Sequence, residues 1–177
     1  MLSAFQFYRD YYTKEREDNN IDVNYSIWQV QAFARLSSTL QGHDSRSLEI
    51  PNTLKHDVVV YCMDLCQDIL QSPAWKLVSR GTSFYPNLST IEIACGLDAL
   101  CQGYRALLEE TSTIRENYQG LEFSFAKHID AALDFLKWSQ DQIPQDSLVG
   151  NGGLGHGGYW VKEQRIDVTG HAIGAVT

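Results

Sequence analysis

Three acidic residues share one local setting and could supply acid–base chemistry. Asp22, Glu92 and Asp167 each lie between two aliphatic residues where a helix is predicted to begin, at spacings of 70 and then 75 positions. Carboxylates that line a common cavity can act as general acid and base when burial separates their pKa values. An acid in the first turn of a helix also stabilises the helix dipole without any catalytic role, and this is the more common explanation.

Asp167 has the neighbours that are chemically most useful. His171 follows it by four positions, so both side chains lie on one side of a helix. Arg165 could orient a carboxylate ligand, although such an arginine more often forms an exposed ion pair. The predicted catalytic residues are therefore Asp167, Glu92 and His171.

Two predicted loops carry aromatic residues. The glycine-rich stretch NGGLGHGGYW occupies 151–160, and SFYP occupies 83–86. Their rings could stack on a sugar or an apolar ligand, and packing inside the protein explains them equally well. The predicted ligand-binding residues are His156, Tyr159, Trp160, Arg165 and Tyr85.

A metal site has weak support. Asp167 and His171 could bind a metal together with a thiol such as Cys95, but the chain has no CxxC or HExxH pattern. No metal site is predicted, and the sequence leaves the cofactor unknown. The four cysteines fall in predicted helices and are expected to be buried thiols.

The elements that must position these residues are all helical. Apolar residues recur at helical spacing in six segments, separated by polar, glycine- or proline-containing stretches. The less charged segments alternate with more charged ones, which predicts three hairpins, each of an outer and an inner helix. Thr90 is the predicted N-cap of the most apolar helix. The predicted helices are 2–14, 22–40, 54–71, 90–110, 121–142 and one that begins at 166.

The C-terminal part carries a family resemblance. LDFLKWSQ, the loop ending in GGYW and RIDVTGHAIGAV together resemble a repeat of the α/α-toroid superfamily, which includes terpenoid cyclases, protein prenyltransferases, and six-hairpin glycosidases and epimerases. The resemblance is strong over 133–177, fair over 54–108 and weak before 40. It implies that the inner helices begin at a central cavity. Three hairpins cannot close such a ring, so it also implies a partial toroid or an open helical array.

Composition limits the classes of partner. The chain has 177 residues and a formal net charge of −8, which predicts one domain over 1–177 and disfavours a nucleic-acid partner. Neither a signal peptide nor a membrane span is evident, so the sequence predicts a soluble, cytoplasmic protein without a membrane partner. The chain is expected to be a fragment, or to be completed by a missing segment or by a homo-oligomer.

These observations leave the function open between several classes. Without an aspartate-rich cyclase signature, the resemblance favours a carbohydrate-active enzyme that uses acid–base residues at the inner-helix starts. The alternative is a non-catalytic scaffold that binds a protein or small-molecule ligand on a concave face. A terpenoid cyclase or prenyltransferase activity is a further alternative.

Overall fold

A computed structural model describes residues 2–42, 52–141, 171–173 and 175. Every regular element among them is helical, which confirms the all-α class. Residues 171–173 and 175 are helical as well. None of the described helices is both long enough and apolar enough to cross a membrane. The helices are α1 (Leu2–Glu17), α2 (Val23–Gly42), α3 (Asn52–Gln71), α4 (Pro73–Val78), α5 (Thr90–Leu108), α6 (Ser112–Asn117) and α7 (Gln119–Asp141), with a 3₁₀ helix at Thr82–Asn87.

Helices α2 and α5 lie side by side and run in the same direction. Hydrogen bonds join them at three levels, and the partners advance together along both helices. The bonded residues are 64 to 71 positions apart, close to the 70 positions between Asp22 and Glu92. The donor and acceptor pairs are Gln31 Nε2 with the Cys95 carbonyl (3.3 Å), Arg35 Nε with Gln102 Oε1 (3.3 Å) and Ser38 Oγ with Glu109 Oε2 (3.4 Å).

The hydrophobic core lies between this helix pair and the helices that cover it. α3 packs against both α2 and α5, and α7 packs against α5. Most of α5 is buried, as expected for the most apolar predicted helix. Complete burial of one large apolar side chain stabilises the folded state by about 1.5–3 kcal/mol. The largest fully buried side chains include Trp75, Phe125, Phe135, Ile27, Met63, Leu65, Leu97 and Leu100.

Two glycines in α5 allow its neighbours to approach closely. A Cβ atom on Gly96 would lie 2.7 Å from the Trp75 ring, and one on Gly103 would lie 2.6 Å from the Cys66 sulfur. Neither distance is tolerated without movement of the neighbour, so the missing side chains make room for α4 and α3.

The acids of the first two triplets occupy different positions at their helix starts. Asp22 is the N-cap of α2, where its Oδ1 accepts the backbone N–H of Asn24 at 2.9 Å. The N-cap of α5 is Ser89, which accepts the N–H of Glu92 at 3.4 Å, so Glu92 is the third helical residue. The prediction of Thr90 as the cap was wrong, because Thr90 is buried and its hydroxyl shares a hydrogen bond with Ser139 of α7.

Other boundaries differ where charged or polar segments extend a helix. The first predicted helix, 2–14, continues through a charged run to Glu17. The stretch between the predicted helices 90–110 and 121–142 contains α6. The predicted end of α3 at Gln71 is confirmed, since Ser72 caps the short helix α4. Of the predicted third inner helix, only His171, Ala172, Ile173 and Ala175 are among the described residues.

Candidate functional site

A cleft of about 350 Å³ opens between the N-terminal halves of α2 and α5. We call it the α2–α5 cleft. Its volume lies near the lower end of the roughly 300–1,000 Å³ typical of small-molecule sites, so it suits one small ring rather than an extended chain. The described residues that line it are Asn24, Ile27, Trp28, Ser89, Ile91, Glu92 and Cys95.

Glu92 is the acidic group of this cleft. Burial raises the pKa of its carboxyl group above the ordinary value, because the charged form is deprived of water. Its own N–H is bonded to Ser89, but its carboxyl group has no hydrogen bond or ion pair to any residue in the described ranges. A larger share of this group is therefore protonated than of an exposed glutamate at the same pH, and a protonated carboxyl group can donate a proton.

Trp28 forms an aromatic wall. Its side chain is 56% exposed although it lines the cleft, whereas a tryptophan of this size is usually covered. The imidazole ring of His171 meets it edge to face, with ring centroids 5.6 Å apart. The indole therefore offers stacking surface to a ring ligand beside an imidazole.

Asp98 organises a group of polar side chains just below the cleft. It is only 6% exposed. Gln102 Nε2 donates to its Oδ1 at 2.7 Å, Gln31 Nε2 donates to its Oδ2 at 3.3 Å, and His171 Nδ1 lies 3.1 Å from the same Oδ2. We call these four residues the Asp98 cluster. Two amide donors and the contact with the imidazole compensate the cost of burying the carboxylate.

The cleft and the Asp98 cluster lie on the same face of α5. Glu92, Cys95, Asp98 and Gln102 follow one another at intervals of three or four positions, which places them in one row. Six positions separate Glu92 from Asp98, or about 9 Å along the helix axis at ~1.5 Å per residue. Glu92 therefore begins the row, Asp98 lies further along it, and Cys95 lies between them.

The structure brings two of the predicted site residues to this region. Glu92 lines the cleft, and His171 contacts Trp28 on its wall. Their roles stay predictions. The other residues around the predicted third helix start lie outside the described residues: Asp167, Arg165, His156, Tyr159 and Trp160.

Tyr85 does not belong to the cleft. It is 3% exposed, and its hydroxyl group donates to the Ala131 carbonyl of α7 at 3.4 Å. Its ring packs edge to face on Phe135 at 5.2 Å. The ring of Tyr85 thus packs on α7, and its predicted role in ligand binding stays a prediction.

Sequence reasoning missed Asp98, Gln31, Gln102 and Trp28. Asp98 did leave a signal, since it is the only charged residue between Ile93 and Tyr104 in a helix that had to be central. A charge is buried at such a position only with partners. Trp28 left no comparable signal, because its exposure depends on how α2 and α5 pack.

The thiols do not suggest nucleophilic or metal chemistry. All four cysteines fall in the described ranges and none forms a disulfide; Cys62, Cys66 and Cys95 are buried and Cys101 is partly buried. Burial raises the pKa of the Cys62 and Cys66 thiols, so their reactive thiolate forms are disfavoured. No three His, Cys, Asp or Glu residues of the described part are arranged to bind a metal. Asp167 lies outside the described residues.

Two other polar regions have less catalytic character. Arg16 of α1 lies 3.4 Å from Asp68 and 3.8 Å from Asp64 of α3, and the Tyr12 hydroxyl group donates to Asp68. These contacts tie α1 to α3. A second groove, of about 500 Å³, is lined by residues of α3, α6 and α7, none of them Asp, Glu, Lys or Arg: Gln67, Leu70, Gln71, Asn117, Tyr118, Gly120, Leu121, Ser124 and His128.

Comparison with known proteins gives no assignment. No protein family, no curated protein and no solved structure matches this chain. The α/α-toroid resemblance therefore stays a prediction, and the function is argued from the geometry of the site.

Proposed function

We propose that the α2–α5 cleft binds a neutral, hydroxyl-rich ring compound, a carbohydrate, and that Glu92 serves there as a general acid. One observation carries this proposal: a carboxyl group whose pKa is raised by burial and a largely exposed indole line the same small cleft. Aromatic rings pack on the apolar C–H face of sugars, while carboxyl and amide groups bond to hydroxyl groups.

The charge of the cleft favours a neutral ligand over an anionic one. Its described lining contains the carboxyl group of Glu92 and no lysine or arginine. The chain as a whole carries a formal net charge of −8. A phosphate or carboxylate ligand would therefore meet repulsion without a compensating cation. The Asn24 amide is available to bond hydroxyl groups, and Ile27 and Ile91 add apolar surface.

The arrangement of the helices supports a partial α/α toroid as the framework of this site. Residues of α2 bond to residues of α5 that follow them by 64 to 71 positions, and Asp98 of α5 bonds to His171, which follows it by 73. These offsets approximate the spacing of the three sequence triplets. We propose that successive inner helices lie side by side and that the cleft belongs to their shared concave face.

The test is an NMR titration of the indole N–H signals with a panel of neutral pyranoses and of α- and β-linked disaccharides. We expect the Trp28 signal to shift saturably with at least one sugar, and the Trp28→Ala variant to lose that binding. Phe123→Ala is the matched control, because Phe123 is 76% exposed on α7 and does not line the cleft. If no sugar shifts Trp28, or if the Trp28→Ala variant binds normally, the proposal fails.

A non-catalytic scaffold is the second candidate, and one observation favours it. Phe7, Tyr8 and Tyr11 of α1 are 64%, 37% and 46% exposed, and such rings are common in protein interfaces. If α1 binds a second copy of the chain, sedimentation should show a concentration-dependent dimer that the Phe7→Ser, Tyr11→Ser double variant lacks. A wild type that sediments as a monomer at all concentrations would contradict self-association.

A further inference from the structure

We infer that His171 is a general base facing the α2–α5 cleft and that Asp98 is the positioning residue that holds it. This inference rests on the proposed binding of a carbohydrate in the cleft. It adds that the bound glycoside is hydrolysed, with Glu92 as the acid and His171 as the base.

The contact with Asp98 selects one tautomer of His171. An ionised carboxylate only accepts hydrogen bonds, so the imidazole nitrogen 3.1 Å from Asp98 Oδ2 must carry a proton. In neutral His171 the proton is then on Nδ1, and Nε2 keeps its lone pair. Nε2 has no hydrogen-bond partner among the described residues, and the ring lies against Trp28 on the cleft wall. Nε2 is therefore the nitrogen that would accept a proton from a molecule in the cleft.

Asp98 is itself held rigidly enough to orient an imidazole. Its two oxygens accept from Gln102, one turn further along α5, and from Gln31 of α2. Gln31 also donates to the Cys95 carbonyl, which fixes its amide between the two helices. A carboxylate bound from two helices restricts the position of the histidine, as second-layer carboxylates do for catalytic imidazoles generally.

One ionisable side chain among the described residues pairs directly with His171: its Nδ1 lies 3.1 Å from Asp98 Oδ2. The other ionisable groups on the packed elements are Glu92, Cys95 and Cys101 of α5 and Arg35 of α2, which is bonded to Gln102.

The separate roles of Glu92 and His171 predict the stereochemical outcome. His171 activates a water molecule instead of attacking the sugar itself, so no covalent intermediate with the enzyme forms. Direct attack by water on the anomeric carbon proceeds with inversion.

The reaction is balanced by these groups and water. His171 Nε2 takes one proton from a water molecule while the water oxygen forms a bond to the anomeric carbon. The bond between that carbon and the leaving oxygen breaks, and its electron pair takes the proton of the Glu92 carboxyl group. The products are two hydroxyl compounds; His171 is left protonated and Glu92 ionised, and proton exchange with solvent restores both.

The positioning role is tested first without any ligand. We expect the ¹⁵N shifts of His171 in mildly alkaline solution to show the Nδ1–H tautomer in the wild type. Asp98→Asn should increase the share of the Nε2–H tautomer, because the new amide can donate to Nδ1. His56→Gln, which changes an exposed histidine of α3, should leave the His171 signals unchanged. A predominant Nε2–H tautomer in the wild type, or no change in a folded Asp98→Asn variant, overturns the positioning role.

The catalytic role is tested by hydrolysis of those disaccharides of the panel that bind. We expect His171→Gln and Asp98→Asn to retain binding at Trp28 and to lose turnover on the order of 10²–10⁴-fold. The control variant His56→Gln should keep both binding and turnover. If Asp98→Asn does not fold, His171→Gln alone decides the role of the base. Binding without hydrolysis by the wild type, or full turnover by His171→Gln, overturns this inference and leaves carbohydrate binding intact; no binding at all overturns the proposed function.

Discussion

Two carboxyl groups on one face of α5 have opposite surroundings. Asp98 is nearly inaccessible to solvent but has three hydrogen-bond partners. Glu92 is less buried, yet its carboxyl group has no described partner, and burial raises its pKa. The sequence places both acids in a helix, but it does not show which one is compensated, because two of the three partners of Asp98, Gln31 and His171, are 67 and 73 positions away.

Replacement of Glu92 by glutamine tests whether burial or the helix dipole has the larger effect on the stability that this residue contributes. Its pKa is higher in the folded than in the unfolded chain, so the stabilisation that it provides is present at acid pH and is lost as pH rises through the carboxyl range. Glu92→Gln should therefore raise the melting temperature at neutral pH and change it less near pH ~4.

Thermal unfolding of both proteins at neutral pH and near pH ~4 measures this difference in melting temperature. Asp22→Asn is the matched control, since asparagine caps a helix about as well as aspartate and Asp22 is exposed. A lower melting temperature of Glu92→Gln at neutral pH would show that the charge–dipole interaction outweighs burial.

At the scale of the elements, helical periodicity predicted the long helices, and tertiary contacts decided the details. The predicted end of α3 is confirmed because proline at 73 prevents its continuation. The cap of α5 was misassigned because Thr90 bonds to α7, and the burial of Tyr85 was not foreseen because its loop packs on the same helix. No local pattern contains such contacts, since they join residues about 50 positions apart.

Because α5 packs closely against α3, the addition of a single methyl group between them should destabilise the protein. A methyl group on Gly103 would meet the Cys66 sulfur at 2.6 Å and the Val30 side chain at 3.4 Å. Gly103→Ala should therefore lower the free energy of unfolding by about 1–3 kcal/mol, despite the better helix propensity of alanine.

Urea unfolding of Gly103→Ala and Gly120→Ala tests this packing. Nothing lies within 4 Å of a Cβ atom at Gly120 of α7, so that variant should be as stable as the wild type or slightly more stable. Equal stability of both variants would mean that α3 does not pack closely at Gly103.

At the scale of the whole molecule, buried hydroxyl groups link the terminal helix to the core. Tyr12 of α1 donates to Asp68, and the Tyr61 hydroxyl group of α3 lies within hydrogen-bonding distance of both the Gln29 side chain of α2 and the Tyr8 carbonyl. The all-helical class was predictable because it follows from periodicity along the chain. The hydrogen bonds of Tyr12 and Tyr61 and the α2–α5 cleft were not predictable, because they depend on which helices become neighbours.

The two buried phenols predict a loss of stability in alkali. Burial raises the pKa of both Tyr12 and Tyr61 above the ordinary 10.0, and for Tyr12 the Asp68 contact raises it further. The unfolded chain therefore loses these protons first, and the free energy of unfolding should fall as pH rises above about 10.

Denaturant unfolding at a series of alkaline pH values measures that slope. Tyr12→Phe should cost about 1 kcal/mol at neutral pH through the lost hydrogen bond, and its stability should fall less steeply in alkali because one titrating phenol is gone. An unchanged slope in this variant would show that Tyr12 is not protected from ionisation.

The most direct measurement for the central claim is a structure of the protein with the sugar of the panel that binds most tightly. We predict that the ring lies in the α2–α5 cleft, with one face on Trp28 and an oxygen within hydrogen-bonding distance of Glu92. A sugar bound in the groove between α3, α6 and α7, or elsewhere away from Trp28 and Glu92, would contradict the proposed site.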